Sequence, residues 1–198
     1  TRAIPSPLTG MELIEILFKT GFFADKHKGI AIMDEIADAC ETMVQNGESP
    51  FKKTTPRILM TGVPVGLGSD KVIRIIEESG ANVVAFENCS GYKKTFQVDE
   101  TKDPLTALAE TYLSIPCSVM SPNPGRFDLL EEMITGFSVD GVVDLTWQAC
   151  HTYNIEAYGV QEFVADRFAL PYLHIETDYS QSDTEQLRVR IEAFLEMI

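Results

Sequence analysis

Four short apolar runs, separated by segments with helical spacing, constrain this chain more than any other feature. Ile58-Leu59-Met60, Val83-Val84-Ala85-Phe86, Gly141 to Thr146 and Tyr172-Leu173-His174-Ile175 are too short for helices. Most of them are also too continuously apolar for strands with one wet face, so they read as strands buried on both sides. Between them lie helix signals. Ser69 caps a segment running to Ser79, Asp103-Pro104 opens one reaching Leu113, and Pro124 opens one ending near Gly136. A further helix spans about Asn154 to Phe168, and a last one, Asp183 to Met197, puts Leu187, Ile191 and Leu195 in phase. Strands alternating with helices of this length predict a mostly parallel sheet with right-handed crossovers and helices on both faces. Val119-Met120 reads as one more short strand. The expected α/β fold therefore has four to five strands.

Two helices precede this body. Residues 11–23 place Met11, Ile14, Leu17 and Phe18 on one stripe, and residues 26–46 do the same with Ile32, Ile36, Cys40 and Met43. The polar, Gly- and Pro-containing joint from Asn46-Gly47 to Pro56 divides the chain into a helical leader, 1–53, and an α/β domain, 54–198. The opening Thr1-Arg2-Ala3-Ile4-Pro5 reads as a cut within a longer polypeptide.

A formal net charge of −14 argues against nucleic acid or an anionic membrane surface as partner, because both require clustered Lys and Arg. No apolar run approaches the length of a membrane span and no secretory signal is legible, so a soluble, cytoplasmic protein is expected. The cysteines at 40, 89, 117 and 150 form neither CxxC pairs nor a dense disulfide pattern. Reduced thiols, or ligands shared with another part of the protein, fit better.

In a parallel α/β sheet, ligands gather beyond the carboxyl ends of the strands. Four loops fall there. Gly62 to Ser69 is glycine-rich, with Gly62, Gly66 and Gly68 placed either to make a tight turn or to let backbone N–H groups approach a phosphate or other anion. It matches neither common nucleotide fingerprint. Glu87 to Lys94 combines Cys89 with a carboxylate and two cations, as a metal ligand, a nucleophile activated by Lys93 or a packed thiol would. Trp147 to Tyr153 places Cys150 after a strand and before a helix, where a thiolate is favoured for metal binding or nucleophilic attack. A buried structural cysteine is the competing reading. Glu176 to Asp183 serves as a capping loop or a substrate contact. Cys40 falls on an apolar helical stripe and reads as core, Cys117 lies at the entry end of the short strand Val119-Met120, His174 reads as a core histidine and His27 as solvated.

Val139-Asp140-Gly141-Val142-Val143, Gln148-Ala149-Cys150-His151 and Leu170-Pro171-Tyr172-Leu173-His174-Ile175-Glu176-Thr177-Asp178-Tyr179-Ser180 resemble the carboxyl-terminal part of the 2-hydroxyacyl-CoA dehydratase family. Glu87–Tyr92 and Ile115–Arg126 lean toward its double-cubane and benzoyl-CoA-reductase-like relatives, and the resemblance covers residues 57–198. It implies a Rossmann-like (flavodoxin-like) domain of an oxygen-sensitive iron–sulfur enzyme working as a dimer. It further implies a 4Fe–4S cluster, an ATP-hydrolysing iron–sulfur activator as electron donor, and an acyl-CoA or similar small substrate that is reduced to a ketyl radical before hydroxide leaves. By position, Cys150 is the implied cluster ligand, with Cys89 a second candidate. The family's other cluster cysteines lie mainly in an amino-terminal domain, so the 198 residues alone are expected to be cluster-free and inactive. A phosphate- or nucleotide-binding module built on Gly62–Gly68, and a structural dimerisation domain, are the competing functional readings.

Overall fold

The computed structural model describes residues 1–120 and 122–198. Helices α1 (Gly10–Gly21) and α2 (Lys26–Asn46) come first; β1 (Arg57–Gly62), α3 (Lys71–Glu78), β2 (Asn82–Phe86), α4 (Pro104–Ser114), α5 (Gly125–Gly136), β3 (Gly141–Trp147), α6 (His151–Phe168), β4 (Tyr172–Thr177) and α7 (Thr184–Leu195) follow. All neighbouring strands pair in parallel, in the order β2-β1-β3-β4. This is a Rossmann-like arrangement. The chain runs from β1 outward to β2, returns across β1 to β3 and continues to β4, so the strand order reverses between β1 and β3. Ile58 pairs with Gly141 and Gly62 with Leu145, which brings the β1 and β3 carboxyl ends together at the reversal.

The two faces follow from strand alternation. Ile58, Met60, Val143, Leu145 and Ile175 pack with Ile14 of α1, Ile73 and Ile76 of α3, and Leu187, Ile191 and Phe194 of α7. Leu59, Val84 and Val142 face the other way, against Leu130, Met133 and Ile134 of α5 and Val160 and Val164 of α6. The two opening helices differ sharply in this respect. Ile14 is fully buried and α1 joins the core, whereas only Gly29 of α2 is buried. Arg57 also ties the amino-terminal segment to the body, donating to the carbonyls of Thr1 (2.8 Å) and Ala3 (3.1 Å) as well as to that of Phe137.

Thr9 starts α1 with a reciprocal capping box. Its hydroxyl accepts from the Glu12 amide at 3.0 Å, and the Glu12 carboxylate accepts from the Thr9 amide at 2.9 Å. Thr9→Ala should cost about 1 kcal/mol in urea unfolding, because one donor at the helix start loses its partner.

Three expectations differ in detail. Val119-Met120 forms a turn rather than a strand, and Pro116, Pro122 and Pro124 beside it withhold the N–H groups that a ladder needs. Helix α3 begins at Lys71, not directly after Ser69, because the Ser69 hydroxyl is bonded to Gly66 instead. Helix α6 begins at His151, three residues before Asn154. Ala149 adopts φ 67° and the Cys150 amide donates to Trp147 O at 2.9 Å; this turn lets the helix start at once. Among the described residues no helix is long and apolar enough to cross a membrane.

Candidate functional site

Cys89 and Cys150 both lie at the carboxyl edge of the sheet, in the loops that leave β2 and β3. Cys89 is exposed and Cys150 half-buried immediately before α6. The segment between α4 and α5 brings half-buried Cys117 to the same region. Thr152 Oγ1 lies 3.7 Å from Cys150 Sγ and 3.4 Å from the hydroxyl of Ser118. Burial, and next the proximity of Cys89, push the Tyr153 phenol above the ordinary tyrosine range. Three cysteine-bearing segments therefore border the first turn of α6. Cys40 sits apart on α2, half-buried rather than in the core.

Beneath this edge lies a network of charges. Glu87 and Asp144 are fully buried, Arg126 is 1% exposed and Lys93 3%. Lys93 Nζ is 2.6 Å from Glu87 Oε1, a close ion pair whose alignment does not make a hydrogen bond. Lys93 thus turns inward to Glu87 rather than toward Cys89. The other Glu87 oxygen accepts from the Thr61 hydroxyl at 2.7 Å, and that hydroxyl accepts from Arg126 Nη2 at 2.9 Å. Arg126 also pairs with Glu156 of α6, lies 4.0 Å from Asp144, and stacks 5.2 Å from the Tyr153 ring centre. Tyr172 Oη is 2.9 Å from Asp144 Oδ2, placed to donate to it or to Ala157 O.

Burial raises the Asp144 carboxyl to about 6, against the opposing pull of Arg126 and the Tyr172 hydrogen bond. Burial also works against the Arg126 charge, but Glu87, Asp144 and Glu156 more than offset it and raise its pKa. Sequence reasoning singled out neither Arg126 nor Asp144. The available signal was a carboxylate inside the apolar run Gly141–Thr146, since a buried charge requires a buried partner.

The glycine loop is largely satisfied by its own residues. Gly66 N donates to the Ser69 hydroxyl at 2.9 Å, Gly68 N to the Asp70 carboxylate at 3.1 Å, and Val63 N to Leu145 O at 2.8 Å. Those amides are occupied, so a phosphate cradle gains no support from them. Gly62 faces Asp144 and the backbone of Leu145, and Gly66 faces the Phe18 ring.

Two concavities open near the edge. One, about 530 Å³, is lined by Cys89, Lys93, Phe96, Val98, Tyr112 and Ile115 among others. The other, about 400 Å³, is lined by Gln148, Glu176, Thr177, Asp178, Ser182 and Asp183. Asp183 occupies the cap position of α7 without capping it; its carboxylate instead engages Lys71 at 2.6 Å and the Thr177 hydroxyl. His174 is half-buried, with Nε2 3.0 Å from Thr146 Oγ1, and burial lowers its pKa. His27 is exposed.

A four-iron cluster needs about four thiolate-type ligands. Among the described residues no three His, Cys, Asp or Glu side chains are grouped closely enough to hold a metal ion. The arrangement within these residues therefore does not supply a cluster's full donor set.

The whole chain, residues 1–198, matches the family described as 2-hydroxyglutaryl-CoA dehydratase, D-component. It is 42% identical over 195 residues to "Putative dehydratase subunit YjiM" of Escherichia coli (strain K12), covering 98% of this chain and 50% of that protein. It is 23% identical over 187 residues to the (R)-phenyllactyl-CoA dehydratase beta subunit of Clostridium sporogenes, covering 92% of this chain and 47% of that one. The chain spans about half the length of these curated relatives. With the whole length matched and a parallel sheet that collects cysteine-bearing segments at its carboxyl edge, the chain belongs to the 2-hydroxyglutaryl-CoA dehydratase D-component family.

Proposed function

We propose that the chain forms part of a cytoplasmic, oxygen-sensitive enzyme of the 2-hydroxyacyl-CoA dehydratase type, a lyase or a related low-potential reductase. In this reading Cys150 contributes one ligand to a 4Fe–4S cluster, Cys89 is a second candidate, and the other ligands come from residues outside these 198. The observation that carries it is the meeting of the Cys89, Cys117 and Cys150 segments around the first turn of α6. The concavity beside Cys89, apolar over most of its wall with Lys93 and Lys94 at one side, has the size of a small-molecule pocket and suits part of an acyl-CoA. The proposed partners are a second dehydratase subunit and an ATP-hydrolysing iron–sulfur activator. Within the chain, Glu87, Lys93 and Arg126 hold the loops, and the exposed face of Cys89 stays open to whatever completes the site.

In the full-length protein purified without oxygen, Cys150→Ser should lower iron and acid-labile sulfide per chain, because a hydroxyl is a poor ligand for iron of this type. The melting temperature should hardly change, since the half-buried side chain keeps its volume. Unchanged iron would remove Cys150 from the cluster.

A further inference from the structure

We infer that Arg126 is the positioning residue that fixes the three cysteine-bearing segments in one spatial relation at the carboxyl edge. The inference deepens the reading of this edge as the functional site. It rests on the residues that one guanidinium joins.

Toward β2, Arg126 Nε is 3.6 Å from Glu87 Oε1, and Glu87 stands two residues before Cys89. The loop beyond is itself locked. Asn88 Nδ2 donates to Val63 O at 2.9 Å, Asn88 Oδ1 accepts from Ser90 N at 3.0 Å, and Lys93 folds back under the loop to Glu87. Toward α6, Arg126 pairs with Glu156 and stacks on Tyr153, which fixes the helix turn that follows Cys150. The second Glu156 oxygen accepts from Asn123 Nδ2 at 2.9 Å, reaching back into the segment that carries Cys117. Toward the sheet, Nη2 donates to Thr61 at the end of β1 and faces Asp144 in β3.

No apolar residue could do this. A planar fork of donors reaches β1, the loop leaving β2, β3 and α6 at once, and lysine, with a single ammonium, cannot reproduce that geometry. Among the described residues the same guanidinium is the cation nearest to the fully buried Asp144, 4.0 Å away, which would otherwise lack a counter-charge.

Hydrogen exchange read by mass spectrometry on the full chain separates positioning from bulk stability. Arg126→Lys, Arg126→Met and Glu156→Gln are compared with the parent protein, well below each melting temperature. In Arg126→Met, exchange should accelerate at least tenfold in residues 87–93, 117–120 and 150–156 together, while α3 and α7 keep the parent rates. Arg126→Lys should recover most of the melting temperature but not the slow exchange of these segments, a split that a purely structural charge would not produce. Glu156→Gln, which keeps Arg126 and is the milder change, should loosen 117–120 and 150–156 while sparing 87–93. Acceleration spread evenly over the chain, full rescue of local exchange by lysine, or unchanged exchange in Glu156→Gln would each overturn the inference. If Arg126→Met fails to fold, the other two variants decide. The readout involves no iron, so an unchanged iron content in Cys150→Ser would defeat the cluster reading and leave this inference standing.

Discussion

Gly62→Ala should destabilise the chain by about 3 kcal/mol, enough to remove a large part of the stability of an ordinary domain. Gly62 ends β1 with φ 98°, and a Cβ there would stand 2.1 Å from Leu145 O and 2.6 Å from Asp144 Oδ1. The carbonyl cannot retreat. It accepts from Val63 N and belongs to the central strand β3. Strain from the positive φ and collision with backbone therefore add. Gly68 provides the contrast, because its φ is 88° but none of the described residues comes within 4 Å of where a Cβ would stand. Gly68→Ala should cost only the backbone term, about 1 kcal/mol. Gly66→Ala should fall between the two, since it meets the Phe18 ring at 2.6 Å and a side chain of α1 can shift. Urea unfolding of the three variants tests the order. Equal losses at Gly62 and Gly68 would mean that backbone conformation alone, and not the approach of β3, demands the glycine.

The parallel sheet was legible in the sequence because its strands are apolar on both faces and its helices carry their own start signals, such as Asp103-Pro104. Cys89 and Cys150 could be placed at one edge from topology alone. What escaped was everything that depends on side chains meeting across distant segments. Glu87, Arg126 and Asp144 are separated by up to 57 positions, and their periodicity carries no hint that they share a buried site. Lys93 illustrates the same limit: beside Cys89 in sequence it looks like an activating cation, yet in the fold its ammonium pairs with Glu87. The 1–53 leader was read from a polar joint. In the structure α1 packs into the core while α2 stands largely exposed, a difference that turns on which stripe finds a partner rather than on the stripe's strength. The glycine loop was ambiguous because positive φ, close packing and ligand approach all ask for the same residue.

Relative to Asp144→Asn, the parent chain should lose stability as pH rises, the reverse of the usual effect of a carboxylate. Asp144 is fully buried, Oδ1 has no hydrogen-bond partner among the described residues, and the nearest cation among them, Arg126, is 4.0 Å away and shared with Glu87 and Glu156. Burial raises its pKa from 3.8 to about 6 in the folded chain. Between those values the folded state holds a proton that the unfolded state has released, so the stability contributed by this group is complete below the unfolded pKa. It falls as pH rises, and is lost above about 6. Asparagine has no proton to release and shows no such loss. The other carboxylates titrate in both proteins and largely cancel in the difference. The stability of the parent relative to Asp144→Asn should therefore drop by about 3 kcal/mol from pH 3 to pH 7, read as the gap between urea midpoints at constant slope. Parallel curves would show that Tyr172 and Arg126 hold the carboxylate near its ordinary range. A gap widening in the parent's favour with rising pH would mean that they lower it, and that Asp144 serves as a permanent counter-ion to Arg126 rather than as a neutral hydrogen-bonding group.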